Sequence, residues 1–402
     1  MVVDKIKKRM RLNQKVKESR NISKKSNTNE KLMIFSAFAG ASYTCSPKAI
    51  YEYIIKNPKF KDFKFVWAFK KPEDKLKYFK DSRTELVKIN SKEFFKKLSS
   101  AKYWIFNFKT PEYYIKRDDQ IFIQCWHGTP LKRLGCDIHI EKGNKATELK
   151  DIHKSYIDDA KKYNYFISPS KFASEKFSSA FALDKLNKEN IIVERGYPRN
   201  EYLFKYKDED IDRIKEKLKI PKEKKVILYA PTFRDNQYQE GKGHTYKLGI
   251  NLLRMSDELK KDDYVILMRL HYLVSNNIDI SQFKNFVYDV SDYEDINELY
   301  IISDILVTDY SSVFFDYANL KRPILFYMYD LQEYKNNIRD FYIDLKELPG
   351  PIVESEKDLI KNIRNINNIF EENKEIYKNF NEKYNYLDNE NVTSEVVKEC
   401  IN

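Results

Sequence analysis

The sequence predicts an α/β protein built from two Rossmann-like domains that face each other, each carrying a parallel sheet. Three observations support this. Short apolar runs alternate with amphipathic helical stretches, the signature of βαβ units whose strands are covered on both faces. The alternation pauses at a charged stretch, residues 205–225, and restarts after Pro221. A chain of 402 residues is long enough for two domains with cores of ordinary size.

The first set of strands is expected at 32–38, 63–69, 85–89, 103–108, 121–126, 165–168 and 191–195, with helices such as 47–56 and 91–100 between them. The second set is expected at 225–230, 264–270, 286–290, 305–308 and 323–327. The resulting division is an N-terminal arm (1–31), a first domain (32–205), a second domain (221–350) and charged C-terminal helices (351–402) that pack back across the domains.

Composition narrows the function classes. The formal charge is +12, but residues 1–31 hold eleven Lys/Arg against three Asp/Glu, so the rest of the chain carries only +4. Basic character therefore belongs to the arm, and the nearly balanced body argues against a general nucleic-acid binder. Ile6, Met10 and Val16 lie near helical spacing, and Ser23 to Asn29 reads as a polar linker. A cationic, weakly amphipathic arm favours an anionic membrane surface; the plainer reading is a disordered, solubilising tail. Cys45, Cys125, Cys136 and Cys400 form no C-x-x-C pair, which speaks against a zinc site or disulfide framework and suits a reducing compartment. No run approaches the ~18–20 apolar residues of a membrane-spanning helix. The basic region followed by Leu32 to Ala39 imitates a signal peptide, but its charged part is too long and its apolar run too short. It reads as the first core strand.

In open parallel sheets, ligands sit beyond the carboxyl ends of the strands. Four strand ends carry reactive side chains. The 121–126 run leads into His127-Gly128-Thr129-Pro130-Leu131-Lys132, and the 225–230 run into Pro231-Thr232-Phe233-Arg234. The 264–268 run leads into Arg269-Leu270-His271, and the 305–307 run into Thr308-Asp309-Tyr310-Ser311-Ser312 at a helix start. Two of the five histidines thus fall at strand termini. Free N–H groups at a helix start, with Ser311 and Ser312 beside them, suit phosphate oxygens. The same residues would serve equally well as a plain N-cap.

Taken together, several segments resemble the CDP-glycerol glycerophosphotransferase family, the primases and polymerases of teichoic acids and related capsules. They are Phe38-x-Gly40-x-x-Tyr43 with Pro47-Lys48-Ala49-Ile50-Tyr51-Glu52, Gln124-x-Trp126-His127-Gly128-Thr129-Pro130-Leu131-Lys132, Tyr229-Ala230-Pro231-Thr232-Phe233-Arg234, Arg269-Leu270-His271, and Thr308-Asp309-Tyr310-Ser311-Ser312-Val313-Phe314-Phe315-Asp316-Tyr317. They run in order from about residue 35 to 345. Cys45-Ser46 stands where the family usually has Asn before its Pro-Lys pair.

The resemblance implies a GT-B architecture with the active site in the interdomain cleft and CDP-glycerol bound mainly by the second domain. His127 and His271 match the family's essential pair. Arg234, Arg269, Thr308, Ser311, Ser312 and Asp316 match donor-side positions, and Gly128, Thr129 and Lys132 lie on the acceptor or phosphate side. The implied reaction moves glycerol phosphate to a lipid-linked disaccharide and releases CMP. An imidazole suits the proton acceptance that such a transfer needs. No metal or other cofactor is expected: Arg234, Lys132 and the Ser311–Ser312 turn supply the positive charge and donors that a divalent ion often provides. Expected partners are CDP-glycerol, the lipid-linked acceptor and an anionic membrane, with no nucleic acid. The expected location is the cytoplasmic face of the cell membrane, held peripherally. The length favours a primase-like enzyme adding one unit. The alternatives are a CDP-ribitol-using or polymerising relative and a GT-B nucleotide-sugar glycosyltransferase.

Overall fold

The computed structural model describes residues 2–139, 149–232, 238–239, 243–244, 248–270, 279–332 and 341–401. The first domain holds seven parallel strands: β1 (Asn29–Ser36), β2 (Lys64–Phe69), β3 (Thr84–Lys88), β4 (Ala101–Phe106), β5 (Ile121–Gln124), β6 (Tyr165–Ser168) and β7 (Ile192–Glu194). They are arranged β3-β2-β1-β4-β5-β6-β7. In the second domain come β8 (Lys225–Ala230), a small antiparallel ribbon of β9 (Tyr238–Gln239) and β10 (Gly243–His244), then β11 (Tyr264–Met268), β12 (Val287–Asp289), β13 (Ile305–Thr308), β14 (Ile324–Tyr327) and β15 (Ile352–Val353). Its parallel sheet runs β12-β11-β8-β13-β14-β15.

The continuous apolar runs follow from burial on both faces. Along β1, Leu32 and Ile34 enter one core with Trp104 and Phe122, while Met33 and Phe35 enter the opposite core with Trp67 and Ile105. On β8, Val226 and Leu228 face one side and Ile227 and Tyr229 the other. Truncating one of these large side chains costs about 3–5 kcal/mol, so each sheet is anchored through its centre.

Three stretches differ from the sequence reading. The first domain's strands alternate with helices that include α2 (Cys45–Lys56) and α3 (Lys92–Ser100), and the arm forms one helix, α1 (Val2–Lys25), which packs against α3. Its seam passes through Leu12, Val16, Ser19 and Ser23, whereas Met10 is 66% exposed. Small serines allow a close helix–helix approach that a hydrophobicity pattern does not reveal. The expected linker after Ser23 is short, because β1 begins at Asn29. Within the charged stretch 205–225, Asp208–Leu218 is a helix with acidic residues in its first turn and lysines in its last, as the helix dipole favours. Its Ile214, and Ile220 beyond it, are buried in the second domain's core.

Beyond β15 the chain forms helices Glu356–Arg364, Ile366–Glu372, Lys374–Tyr384 and Val392–Cys400. The last returns to the first domain, where Val392, Val396, Val397 and Ile401 join the core below β1. All four cysteines are free thiols. No helix among the described residues is long and apolar enough to cross a membrane.

Candidate active site

Each sheet reverses its strand order beside its first strand, at β1/β4 in one domain and β8/β13 in the other. Those are the switch points where open α/β sheets leave a crevice. Here the two crevices share one cleft of ≈ 440 Å³, with the 126–134 segment on one wall and residues after β8, β11 and β13 on the other.

His127 is presented by a strained turn. Trp126, the residue before it, has φ 45°, the left-handed region that bulky side chains rarely occupy. The turn is held by the Trp126 N–H, which donates to Gln124 Oε1 at 2.9 Å, and by the Trp126 ring standing edge-on to Phe181. The imidazole lies between two aromatic rings, Trp126 at 4.3 Å and Phe38 at 5.7 Å between centroids. It is crowded from behind but open to solvent on its cleft side. Nδ1 lies 2.7 Å from the carbonyl oxygen of Asn107, a partner that can only accept. The proton therefore sits on Nδ1, and Nε2 keeps a lone pair. Burial pulls the imidazole pKa below its ordinary value, and the nearby Arg199 charge adds to this.

On the facing wall, Ser311 and Ser312 begin the short helix Val313–Tyr317, and the Ser312 side chain makes no cap bond of its own. Asp309 accepts from the N–H groups of Thr232 and Tyr310, fixing the loops after β8 and β13 against each other. Arg269 lines the cleft while its Nη1 donates to the carbonyls of Val290 and Tyr293, so it brings charge and also ties down that loop. The walls also approach closely at Gly128, where an added Cβ would lie 2.9 Å from Ser312 Oγ. A side chain there would have to displace the Ser312 hydroxyl.

Further ties close the two domains on each other. Lys48 pairs with Asp295 at 2.7 Å, and Lys75 pairs with Glu294 at 2.5 Å. Tyr342 crosses from the second domain: its N–H donates to Leu131 O at 2.9 Å and its hydroxyl to Asp137 at 2.5 Å.

The chain matches the CDP-Glycerol:Poly(glycerophosphate) glycerophosphotransferase family over residues 19–402. The chain belongs to this family. It is 40% identical, over 91% of its length, to a teichoic acid poly(glycerol phosphate) polymerase of Staphylococcus epidermidis, and spans about half of that relative (50%). With the enzyme of the same description from Bacillus spizizenii it shares 38% identity, over 93% of this chain and 92% of that one. Among solved structures, the wall teichoic acid polymerase TagF, in a histidine-to-asparagine variant soaked with CDPG, superposes with a TM-score of 0.88 at 37% identity. That match covers 99% of this chain and 97% of the other. The architecture is accordingly GT-B-like.

Against this family's expected site, the cleft brings together His127, Gly128, Thr129, Lys132, Arg269, Ser311 and Ser312. His271 and Arg234 lie outside the described residues. Two donor-side expectations are placed elsewhere. Thr308 is buried, and its hydroxyl donates to Ala230 O at 2.7 Å, pinning β13 to β8. Asp316 is buried behind the cleft wall, gripped by Arg199 Nε and Nη2, each at 2.9 Å, and by the Asn200 side-chain amide at 2.9 Å. Both carboxylate oxygens are thus committed to protein. The sequence reading also passed over Asn107 and Arg199. Asn107 acts on His127 through a backbone carbonyl, which leaves no side-chain signature, and the partner of Arg199 lies 117 residues away.

Proposed function

We propose that this protein transfers glycerol phosphate from CDP-glycerol to a hydroxyl at the end of a lipid-linked acceptor, releasing CMP. The observation that carries this reading is the fixed tautomer of His127. An Nε2 lone pair at the mouth of a two-domain cleft is a base for an incoming hydroxyl. As the acceptor oxygen bonds to the β-phosphorus, the bond from that phosphorus to the bridging oxygen breaks. CMP leaves with the electron pair, and the hydroxyl proton passes to Nε2. Ser311, Ser312 and the charge of Arg269 and Lys132 face the phosphates, where preorganised donors stabilise the developing charge.

The test is incubation with CDP-glycerol and a synthetic lipid-linked disaccharide, with products counted by mass. CMP release coupled to mass increments of one glycerol phosphate supports the reading; UMP or UDP release from nucleotide sugars instead would overturn it. Turnover is expected to persist in excess EDTA, and complete loss that magnesium restores would place the chemistry on a metal. Length does not separate single from repeated addition, because the Bacillus spizizenii polymerase is matched over 92% of its span. Similarity to polymerases supports repeated addition, which the same mass ladder reads.

We also infer that α1 holds the enzyme on an anionic membrane. Lys7, Arg9, Arg11, Lys15, Lys17, Arg20, Lys24 and Lys25 are all exposed on it, while its seam is spent on α3. Attraction of about 1 kcal/mol per nearby cation makes such binding peripheral and salt-sensitive. Replacing Arg9, Arg11, Lys17 and Arg20 by glutamine leaves the seam intact and should weaken binding to vesicles rich in anionic lipid by more than about 100-fold. CMP release to a short, lipid-free acceptor should stay near normal. Undiminished vesicle binding would move the contact surface elsewhere.

A further inference from the structure

Immediately after the central strand β1, three consecutive residues take left-handed backbone: Phe38 (φ 48°), Ala39 (φ 52°) and Gly40 (φ 79°). Glycine is required at the third, since a Cβ there would lie 2.9 Å from the Lys70 nitrogen. The first two positions are strained for side chains of this kind, and such strain persists only where the surroundings impose it. Here they do. The Gly40 N–H donates to Ala37 O at 2.9 Å, the Lys70 N–H donates to Gly40 O at 2.7 Å, and the Phe38 N–H donates to Asn107 Oδ1 at 2.8 Å.

What the strained turn achieves is the outward presentation of one ring. Ala37 and Gly40 are buried, yet Phe38 is 40% exposed. It stands against His127, whose other neighbour, Trp126, is only 5% exposed. Trp126 therefore backs the imidazole, while Phe38 offers a free face beside it. A single residue sets both positions: the Asn107 carbonyl holds His127, and the Asn107 side chain holds the Phe38 backbone. The open ring is thus indexed to the base, and it is His127 that lines the cleft with Ser311 and Ser312.

We propose that Phe38 is the platform for the acceptor, packing against the C–H face of its terminal polyol or sugar unit so that the neighbouring hydroxyl meets His127 Nε2. An aromatic ring suits such a unit, which is apolar on its carbon face and polar at its edge. The inference rests on the glycerophosphotransferase reading and adds a specificity-determining residue to it.

The test uses Phe38→Gly and Phe38→Asn, residues that accept positive φ, so the fold is not put at risk. Both variants should keep the wild-type melting temperature, and their acceptor KM should rise about tenfold or more. The KM for CDP-glycerol and kcat should change less than about twofold, and Phe38→Tyr should retain acceptor affinity. An unchanged acceptor KM overturns the proposal. So does a fall in kcat at constant acceptor KM, which would make Phe38 a positioning residue for the imidazole. Titration calorimetry with a lipid-linked disaccharide bearing a terminal glycerol phosphate reads the same contact without turnover. Equal acceptor affinity in wild type and Phe38→Gly overturns the platform even if CDP-glycerol proves not to be the donor, whereas a wild-type protein that releases no CMP strikes the transferase reading alone.

Discussion

His127→Ala should lower the rate of CMP release by about 10²–10⁴-fold, the usual loss when a positioned acid–base group is removed. The fold should barely register the change. Among the described residues His127 makes one hydrogen bond, to the Asn107 carbonyl, on a side chain that is open to the cleft, and losing such a bond costs about 1 kcal/mol. A large kinetic loss with little change in unfolding separates a base from a structural histidine; near-normal turnover would remove the assignment. The pH profile gives a second check. Burial depresses this imidazole, so its neutral form persists below the usual histidine range, and the acid limb of kcat/KM should fall below pH 6.5. The stability linkage has the matching sign. The folded state binds this proton more weakly than the unfolded chain does, so the contribution is complete above the unfolded pKa and is lost as pH falls from there through the lower folded pKa.

The strands were legible in the sequence because parallel strands covered on both faces must be apolar at nearly every position, as β2, β8 and β11 are. His127 and the Ser311–Ser312 pair were legible because polar residues directly after such strands fall at the crevice. The same rule drew in Thr308, and the family resemblance drew in Asp316; the structure buries both. A polar residue beyond a strand can face a ligand or satisfy buried backbone and charge, and composition does not separate the two. Thr308 satisfies a carbonyl, and Asp316 a guanidinium. The rest depended on backbone sign and on distant partners. Positive φ at Phe38 and Trp126 has no residue signature, since both are poor choices for that conformation. The serine seam of α1 carries no hydrophobic period, and Tyr342 reaches Asp137 from 205 residues away.

Asp316→Ala should destabilise the protein by about 3–5 kcal/mol in urea titration, the cost of leaving one member of a buried ion pair alone. The geometry makes the penalty large. The Arg199 guanidinium is buried, stacks on the Tyr197 ring at 3.7 Å, and gives both bonds of a bidentate pair to Asp316. Asn200 extends the network, donating at 2.9 Å to Asp316 and at 2.6 Å to Asp388, which itself accepts the Tyr197 N–H at 2.7 Å. Residues 197–200 and 388 lie where the chain passes between the domains, so this cluster fixes how the two walls of the cleft meet. Removing both charges at once relieves the uncompensated cation: Arg199→Met with Asp316→Leu should recover most of the lost stability, because the desolvation of the pair disappears with it. The kinetic consequence distinguishes this role from the donor contact that the motif suggested. A latch acts on donor and acceptor alike, so surviving Asp316→Ala protein should bind CDP-glycerol and acceptor with affinities reduced in proportion. A variant that keeps wild-type stability and loses only CDP-glycerol affinity would show that the carboxylate leaves Arg199 to meet the donor.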